Sequence, residues 1–479
     1  MAFPVHRVLL LSSLLCFLPR HDAARVGSYV TVSTASFAAS SSTICDDDPG
    51  RVIAQQQLQR GNGTSAVLRL THRHGPCAGP SRSASAPSFA EVLRADERRA
   101  EYIQRRMSGA KGPGGLQQFT AASSSKSVTI PANIGHSIGT LQYVVTVSLG
   151  TPGVAQTVEV DTGSDVSWVQ CAPCAAPACY AQKDQLFDPA KSSSYSAVPC
   201  AADACSELST YGHGCAAGSQ CGYVVSYGDG SNTTGVYGSD TLTLTDADAV
   251  TGFLFGCGHA QAGLFAGIDG LLALGRKGMS LTSQTSGAYG GGVFSYCLPP
   301  SPSSTGFLTL GGPSSASGFA TTGLLTAWDV PTFYMVMLTG IGVGGQQLSG
   351  VPASAFAGGT VVDTGTVITR LPPTAYAALR AAFRAAMAPY GYPAAPATGI
   401  LDTCYNFTDY GTVTLPTVSL TFSGGATLKL DAPGFLSSGC LAFATNSGDG
   451  DPAILGNVQQ RSFAVRFDGS SVGFMPHSC

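Results

Sequence analysis

Residues 158–168 read VEVDTGSDVSW and residues 361–369 read VVDTGTVIT. The same Asp-Thr-Gly succeeds a short apolar run twice, 202 positions apart. A single copy is an ordinary turn at the end of a strand. Two copies gain weight because an apolar-apolar-Gly element lies downstream of each: GIDGLLALG at 267–275 and PAILGN at 452–457. The same order of elements in both halves points to a duplicated lobe with a near-twofold relation between the copies. A twofold axis brings equivalent residues together at the interface, and so sets Asp161 opposite Asp363.

The composition suits such a body. Charged residues make up 11% of the 479-residue chain, against about 25% in an average globular protein. Glycine is abundant and hydrophobic residues reach 44%, which excludes a disordered chain and favours a β-rich body with many turns. From Ser127 onward, short β-branched and aromatic runs alternate with glycine turns (LQYVVTVSLG, QTVEVDTGS, GYVVSYGDGS, YGSDTLTLTD, GFLFGCG), the pattern of strands and hairpins. The stretch PTAYAALRAAFRAAM (373–387) is the one clear helix of this part. Tyr376, Leu379, Phe383 and Met387 share a face there as core residues. A net charge of −3 with no basic, aromatic-laced cluster argues against nucleic acid as a partner.

The N-terminus has a different character. MAFPVHRVLLLSSLLCFLPRHDAA (1–24) has a basic start, an apolar run too short to span a membrane, and small residues at its end, which together read as a signal peptide. The sequence shows neither another long apolar stretch nor a lipid-anchor tail, so no membrane anchor is expected. Residues 25–126 carry 13 Lys/Arg against 7 Asp/Glu, whereas residues 127–479 carry 10 against 20. Within the basic part, residues 88–107 read as a helix opened by a Ser88/Glu91 capping box. A Gly- and Ser-rich linker (108–126) comes next. Opposite charge on the two parts suggests an inhibitory prosegment laid across the acidic body and removed at the linker, rather than an independent small domain. The expected division is a signal peptide (1–24), a basic propeptide with linker (25–126), an N-terminal β lobe (127–325) and a C-terminal β lobe (326–479).

Of the 15 cysteines, 12 lie from Cys171 onward, an even number compatible with six disulfides in an oxidising compartment. They are Cys171, Cys174, Cys179, Cys200, Cys205, Cys215, Cys221, Cys257, Cys297, Cys404, Cys440 and Cys479. Spacing does not give the connectivity, and only Cys404 with Cys440 is ventured as a pair. Cys171-Ala-Pro-Cys174 is also compatible with a zinc half-site or a redox pair, but it lacks the second ligand pair or the βαβ setting these need. His72 and His74 could in principle bind a metal, but they lie beside arginines in the prosegment, and no metal site is expected there.

Two facing carboxylates cannot both ionise at modest cost, so they share one proton; aspartic proteases are the standing example. The ionised partner can act as general base on a water held between them, while the protonated one donates to the scissile carbonyl oxygen. This chemistry calls for no metal and no other cofactor. Gly163 and Gly365 are expected to supply the tight backbone that aims each carboxyl outward.

With these motifs in place, the chain resembles the pepsin-type (A1) aspartic proteases, and within them the plant nepenthesin-like or atypical group. The resemblance runs from HRHGPC (72–77) to the C-terminus and rests on DTGS (161–164), DTGT (363–366), YGDGS (227–231), Trp168 seven residues beyond the first Asp, and the Cys-rich insertion between them. It implies an all-β, bilobal fold with pseudo-twofold lobes and few short helices. It also implies a catalytic dyad of Asp161 and Asp363. Ser164 and Thr366 would hydrogen-bond the outer carboxylate oxygens, and Thr162 and Thr364 would interlock across the lobe interface. Tyr227 would sit on a flap bent at Gly228 and Asp229, supported by Trp168. Peptide and protein substrates, and the chain's own propeptide as intramolecular inhibitor, are the implied partners of a monomeric secreted enzyme, in the apoplast or alternatively the vacuole or a plastid.

Two rivals are set against this reading. Relatives that inhibit xylanases keep the fold as binding proteins, but have lost dyad or flap residues that are present here. A serine hydrolase would use Gly469-Ser-Ser471-Val-Gly473, yet only six residues remain after it, too few for a nucleophile elbow's helix; FDGSSVGF reads as a hairpin turn. Sequons at Asn62, Asn232 and Asn406 suit glycosylated surface loops.

Overall fold

The computed structural model describes residues 29–33, 88–108, 126–130, 133–134, 142–174, 177–263, 265, 267–301, 304–312, 317–325 and 330–479. The signal-like segment, Asn62, His72, His74 and most of the linker lie outside the described residues.

Eight strands form the frame of the two halves. In the first are β1 (Val154–Asp161), β2 (Trp168–Gln170), β3 (Asp248–Ala262) and β4 (Gly270–Ala273). In the second are β5 (Thr360–Val362), β6 (Thr369–Leu371), β7 (Phe443–Thr445) and β8 (Ala453–Leu455). The spatial order is β1-β4-β2-β3 in one half and β5-β8-β6-β7 in the other. The pairings repeat as well: parallel for β1–β4 and β5–β8, antiparallel for β4–β2 and β8–β6, parallel for β2–β3 and β6–β7. The two apolar-Gly elements of the sequence are β4 and β8, each wedged between the strand that carries Asp-Thr-Gly and the next strand of its half. The duplication is therefore one of topology as well as motif.

These central strands are covered on both faces, as expected of parallel pairing, and are largely apolar, although β1 also buries Gln156, Thr157 and Glu159, and β6 buries Thr369 and Arg370. Val158, Val160, Leu271, Leu272, Val361, Val362, Ile454 and Leu455 are all buried. In the first half these four strands belong to a ten-stranded sheet; in the second the corresponding four belong to a five-stranded one, with two four-stranded sheets beside it. A six-stranded sheet built from Val128–Ile130, Phe294–Cys297, Phe307–Leu310, Ala320–Gly323, Ala464–Phe467 and Ser471–Met475 draws on both ends of the body and joins the lobes. The all-β, bilobal expectation holds.

Twelve cysteines form six pairs: Cys171–Cys257, Cys174–Cys179, Cys200–Cys215, Cys205–Cys221, Cys297–Cys479 and Cys404–Cys440. The pair ventured from sequence is among them. Cys171 and Cys174 have different partners, so Cys171-Ala-Pro-Cys174 is not a redox pair. Gly469 takes a φ of 86° in the turn between the last two strands, where Asp468 accepts from the amides of Ser470 and Ser471. FDGSSVGF is thus a hairpin, and no nucleophile elbow. The sequon asparagines separate: Asn406 is exposed in a turn, its Oδ1 accepting from Thr408. Asn232 is half-buried in a strand paired on both sides, opposite Ser226 and Ala262, and not on the surface loop expected for it.

The helix Pro373–Met387 lies where its periodicity predicts and buries Tyr376, Leu379, Phe383 and Met387. Phe383 is fully buried against Phe435 and Tyr405. Phe383→Ala is expected to remove about 3–5 kcal/mol of stability, read as a lower urea midpoint with the disulfides intact. An unchanged midpoint would show that this helix contributes little to the second lobe.

Candidate active site

Each Asp-Thr-Gly turn leaves the C-terminal end of a central strand, β1 or β5, and the two turns meet. The Thr162 amide donates to Thr364 Oγ1 at 3.0 Å, and the Thr364 amide donates to Thr162 Oγ1 at 3.0 Å. Each hydroxyl then donates across the interface to the carbonyl before the opposing Asp: Thr162 to Val362 at 3.1 Å and Thr364 to Val160 at 2.8 Å. All four groups are buried, so this reciprocal lock is satisfied without water. Asn457, from the second apolar-Gly element, donates to the Thr364 carbonyl at 3.0 Å.

The lock brings Asp161 and Asp363 together, both wholly buried. Gly163 and Gly365 are required for a reason other than the expected one. Neither has a positive φ; a Cβ on Gly163 would come 2.7 Å from Asp363 Oδ1, and one on Gly365 2.7 Å from Asp161 Oδ1. Glycine here provides clearance between turns rather than an unusual backbone conformation. The Gly163 amide donates to Asp161 Oδ1 at 2.8 Å, and the Gly365 amide to Asp363 Oδ1 at 3.2 Å.

The supporting hydroxyls are unequal. Thr366 Oγ1 donates to Asp363 Oδ2 at 2.5 Å, as expected. Ser164 is the weaker support: its hydroxyl pulls the Asp161 carboxyl down, as expected of it, but it and Asp161 Oδ2 do not meet in a hydrogen bond of full geometry. The bonds to Asp161 converge on its other oxygen, which takes both the Gly163 amide and an arginine.

That arginine is Arg99, from the helix Phe89–Ser108. Its Nη2 stands 2.7 Å from Asp161 Oδ1 and 3.0 Å from Asp363 Oδ1, and its Nε donates to Asp363 Oδ2 at 3.0 Å. The helix opens with the capping box expected of Ser88 and Glu91. It then runs through the cleft between the lobes. Leu93 packs with Val367, Ile368 and Leu401, while Ala100, Ile103 and Met107 pack with Val330, Phe333 and Ile454. Between these apolar contacts lie buried polar ones. Asp96 accepts from the Val367 and Ile368 amides and from Arg370, and Gln104 donates to Asn446.

The YGDGS stretch closes over this helix from the other side. It is the tip of a hairpin between the strands Gln220–Ser226 and Asn232–Thr245, with the Tyr227 amide donating to the Ser231 carbonyl at 2.8 Å. Asp229 shapes the bend by accepting from the Ser231 amide, and its carbonyl accepts from Arg98. A Cβ on Gly228 would lie 2.7 Å from Arg99 Cα, so the hairpin tip rests directly on the helix backbone. Trp168 Nε1 donates to Tyr227 Oη at 2.7 Å, the support expected of it.

Charge in this dry site is set mainly by burial and by Arg99. Burial pushes Asp161 up, opposed by Arg99 and reinforced by Asp363. For Asp363, burial acts upward too, but the charge and hydrogen bonds of Arg99, with Thr366 and the Gly365 amide, hold it below the usual carboxylate range. Glu159, two residues before the dyad on β1, is pushed well up by burial and by Asp161. Sequence reasoning located the helix and its opposite charge, but did not single out Arg99, Asp96 or Arg370. A signal was available in the helical spacing of Leu93, Asp96, Ala100 and Ile103, which sets an acid and a neighbouring arginine on the buried face. Among the described residues no cluster could hold a metal ion.

Known proteins are similar to this chain in sequence and fold. Residues 143–312 match the family described as xylanase inhibitor N-terminal, and residues 333–476 the one described as xylanase inhibitor C-terminal. An aspartyl protease family protein of Arabidopsis thaliana is 42% identical over 94% of this chain and 93% of its own length. The aspartic proteinase nepenthesin-2 of Nepenthes gracilis is 35% identical over 71% of this chain and 78% of its own. Among solved structures, basic 7S globulin from soybean superposes with a TM-score of 0.58 at 21% identity, over 74% of this chain and 95% of its own. With the doubled Asp-Thr-Gly, the threonine lock and relatives of this identity along most of its length, the chain belongs to the plant family of pepsin-like aspartyl proteases.

Proposed function

We propose that the chain is the zymogen of a secreted aspartic endopeptidase. The observation that carries the reading is Arg99, whose guanidinium bridges Asp161 and Asp363 from a helix filling the cleft. In the helix-free enzyme the two carboxylates would share a proton and titrate as one unit. A water between them loses a proton to the ionised carboxylate and attacks the peptide carbonyl, whose oxygen takes a hydrogen bond from the protonated one. Trp168 holds Tyr227 in place on the hairpin that would cover the substrate, as it now covers the helix. Besides the water and the peptide, the step uses only these two carboxyls.

Residues 25–126 would be the inhibitory propeptide, cut within about 107–130. The signal-like start and six disulfides support passage through an oxidising secretory route. The apoplast is the proposed destination, with the vacuole or a plastid as alternatives, and exposed Asn406 is the better placed candidate for a glycan. A second reading is a binding protein on the same fold; the descriptions of the two matched families favour it. Acid-dependent cleavage of casein blocked by pepstatin distinguishes the two. No cleavage across roughly pH 2–7 by the form freed of residues before 127 would favour binding.

Asp161→Asn and Asp363→Asn are each expected to lower kcat by about 1,000-fold or more without unfolding the chain, as losing a general acid or base does. Residual activity near wild type in either variant would sink the dyad assignment.

Of the carboxyls that hold the helix, Asp363 is the one whose protonation favours release, since burial pushes Asp161 and Asp96 up and their uptake of protons acts the other way. Its carboxyl is held low in the docked state, so its contribution to docking is fully present above the ordinary carboxylate range. That contribution is lost only as pH falls through the lowered value. The wild-type helix should thus stay docked near pH ~4, where a free carboxylate is half protonated, and leave in stronger acid. Arg99→Gln leaves two buried carboxylates without a cation, a loss of about 3–5 kcal/mol. The uncut variant should cleave a quenched fluorogenic peptide without the lag of the wild type, and at higher pH. An identical lag in both would show that Arg99 does not hold the cleft shut.

A further inference from the structure

We propose that Arg370, with the amides of Val367 and Ile368, forms a carboxylate-reading subsite in the mature cleft, which selects peptide substrates carrying Asp or Glu at one fixed position near the cut. The inference rests on the protease reading above and adds a substrate class to it.

Three donors converge on the Asp96 carboxylate. The Val367 amide lies 2.5 Å from Oδ1, the Ile368 amide 3.1 Å from Oδ2, and Arg370 Nη2 3.0 Å from Oδ2. None of the three belongs to the helix. Val367 and Ile368 come directly after the second Asp-Thr-Gly-Thr, and Arg370 lies on β6, in register with Ala444 on one side and Ile454 on the other. The arrangement is therefore built into the wall of the second lobe and stays when the helix leaves.

Removing the helix changes what Arg370 faces. Its side chain is 3% exposed, and its one ion-pair partner among the described residues is Asp96. Its Nε is buried with no hydrogen-bond partner there. A buried cation stripped of its counter-charge is costly, and two unpaired amides beside it add to that cost. The group that relieves all three at once is another carboxylate, since charge-assisted bonds from a guanidinium and two amides match its two oxygens. Asp96 already shows the fit. It precedes Arg99 by less than one helical turn, about 4.5 Å along the axis. An extended peptide rises about 3.3 Å per residue, so the acidic side chain should fall within roughly three residues of the bond held at the dyad. If Arg370 served only to hold the helix, the mature enzyme would be indifferent to acidic residues.

The test uses the full chain matured in acid or, if needed, cut in trans at a protease site placed in the linker. A peptide-library digest should show Asp and Glu enriched at one position near the cut. A matched pair of peptides with Glu or Gln at that position should differ about 10-fold or more in kcat/KM at roughly pH 5, where a peptide Glu is mostly ionised. Arg370→Gln should bring that ratio to about one, and Arg370→Glu should invert it toward Lys. A library without acidic enrichment overturns the inference, as does a folded Arg370→Gln that keeps the ratio. Should that variant not fold, the wild-type Glu/Gln ratio decides alone. A second arm reads binding without chemistry: a labelled peptide of residues 88–108 should bind the cut chain at least about 10-fold more tightly than its Asp96→Asn form. Equal binding also overturns the inference. Asp96-dependent binding with no cleavage of any peptide would refute the protease reading while leaving the carboxylate site standing. Cleavage with no acidic preference would do the reverse.

Discussion

Two threonine hydroxyls and two amides fix the distance between the carboxylates, and the rest of the molecule is built around that distance. The reciprocal bonds between Thr162 and Thr364 are short, buried and made across the two halves, so neither half can place its Asp without the other. They require Gly163 and Gly365 to carry no side chain, and they require β1 and β5 to end at the same depth. They also explain why the central strands are buried on both faces. A dyad held by a dry lock needs dry walls, since water would compete for each of these bonds.

The same dryness makes the dyad a strong site for a cation. Two carboxylates withdrawn from water attract a guanidinium far more than surface acids do, and Arg99 meets them with three bonds from two nitrogens. The helix that delivers it is not otherwise a strong binder of acids. It uses apolar contacts at both ends and a buried acid, Asp96, in between. An acid on a basic segment, docked against an acidic body, is explained by Arg370 and not by overall charge.

Much of the fold is legible in the sequence because it depends on local, repeated signals. The doubled motif, the two apolar-Gly elements and the helix at 373–387 each arise from period and turn chemistry, and each is found where expected. Trp168 and Tyr227 meet as the family resemblance implies. The features that escape depend on tertiary distance. Nothing local in Asn232-Thr-Thr says that a strand will lie on either side of it. Nothing in Asp-Thr-Gly-Ser says that its serine will meet its carboxylate less squarely than the threonine of Asp-Thr-Gly-Thr does. The disulfide connectivity is likewise beyond spacing, apart from Cys404 and Cys440. Arg99 is one of five arginines in its helix, and only the register against the cleft distinguishes it.

The strand Tyr29–Ser33 pairs antiparallel with Thr412–Pro416, at five successive positions along the edge of the second lobe. The N-terminal region is thus moored to the body twice, by this strand and by the helix in the cleft. Severing the chain between residues 108 and 126 would cut the covalent thread and leave both moorings in place. Each mooring keeps the other at high local concentration, so a nicked molecule would still migrate as one particle until both let go.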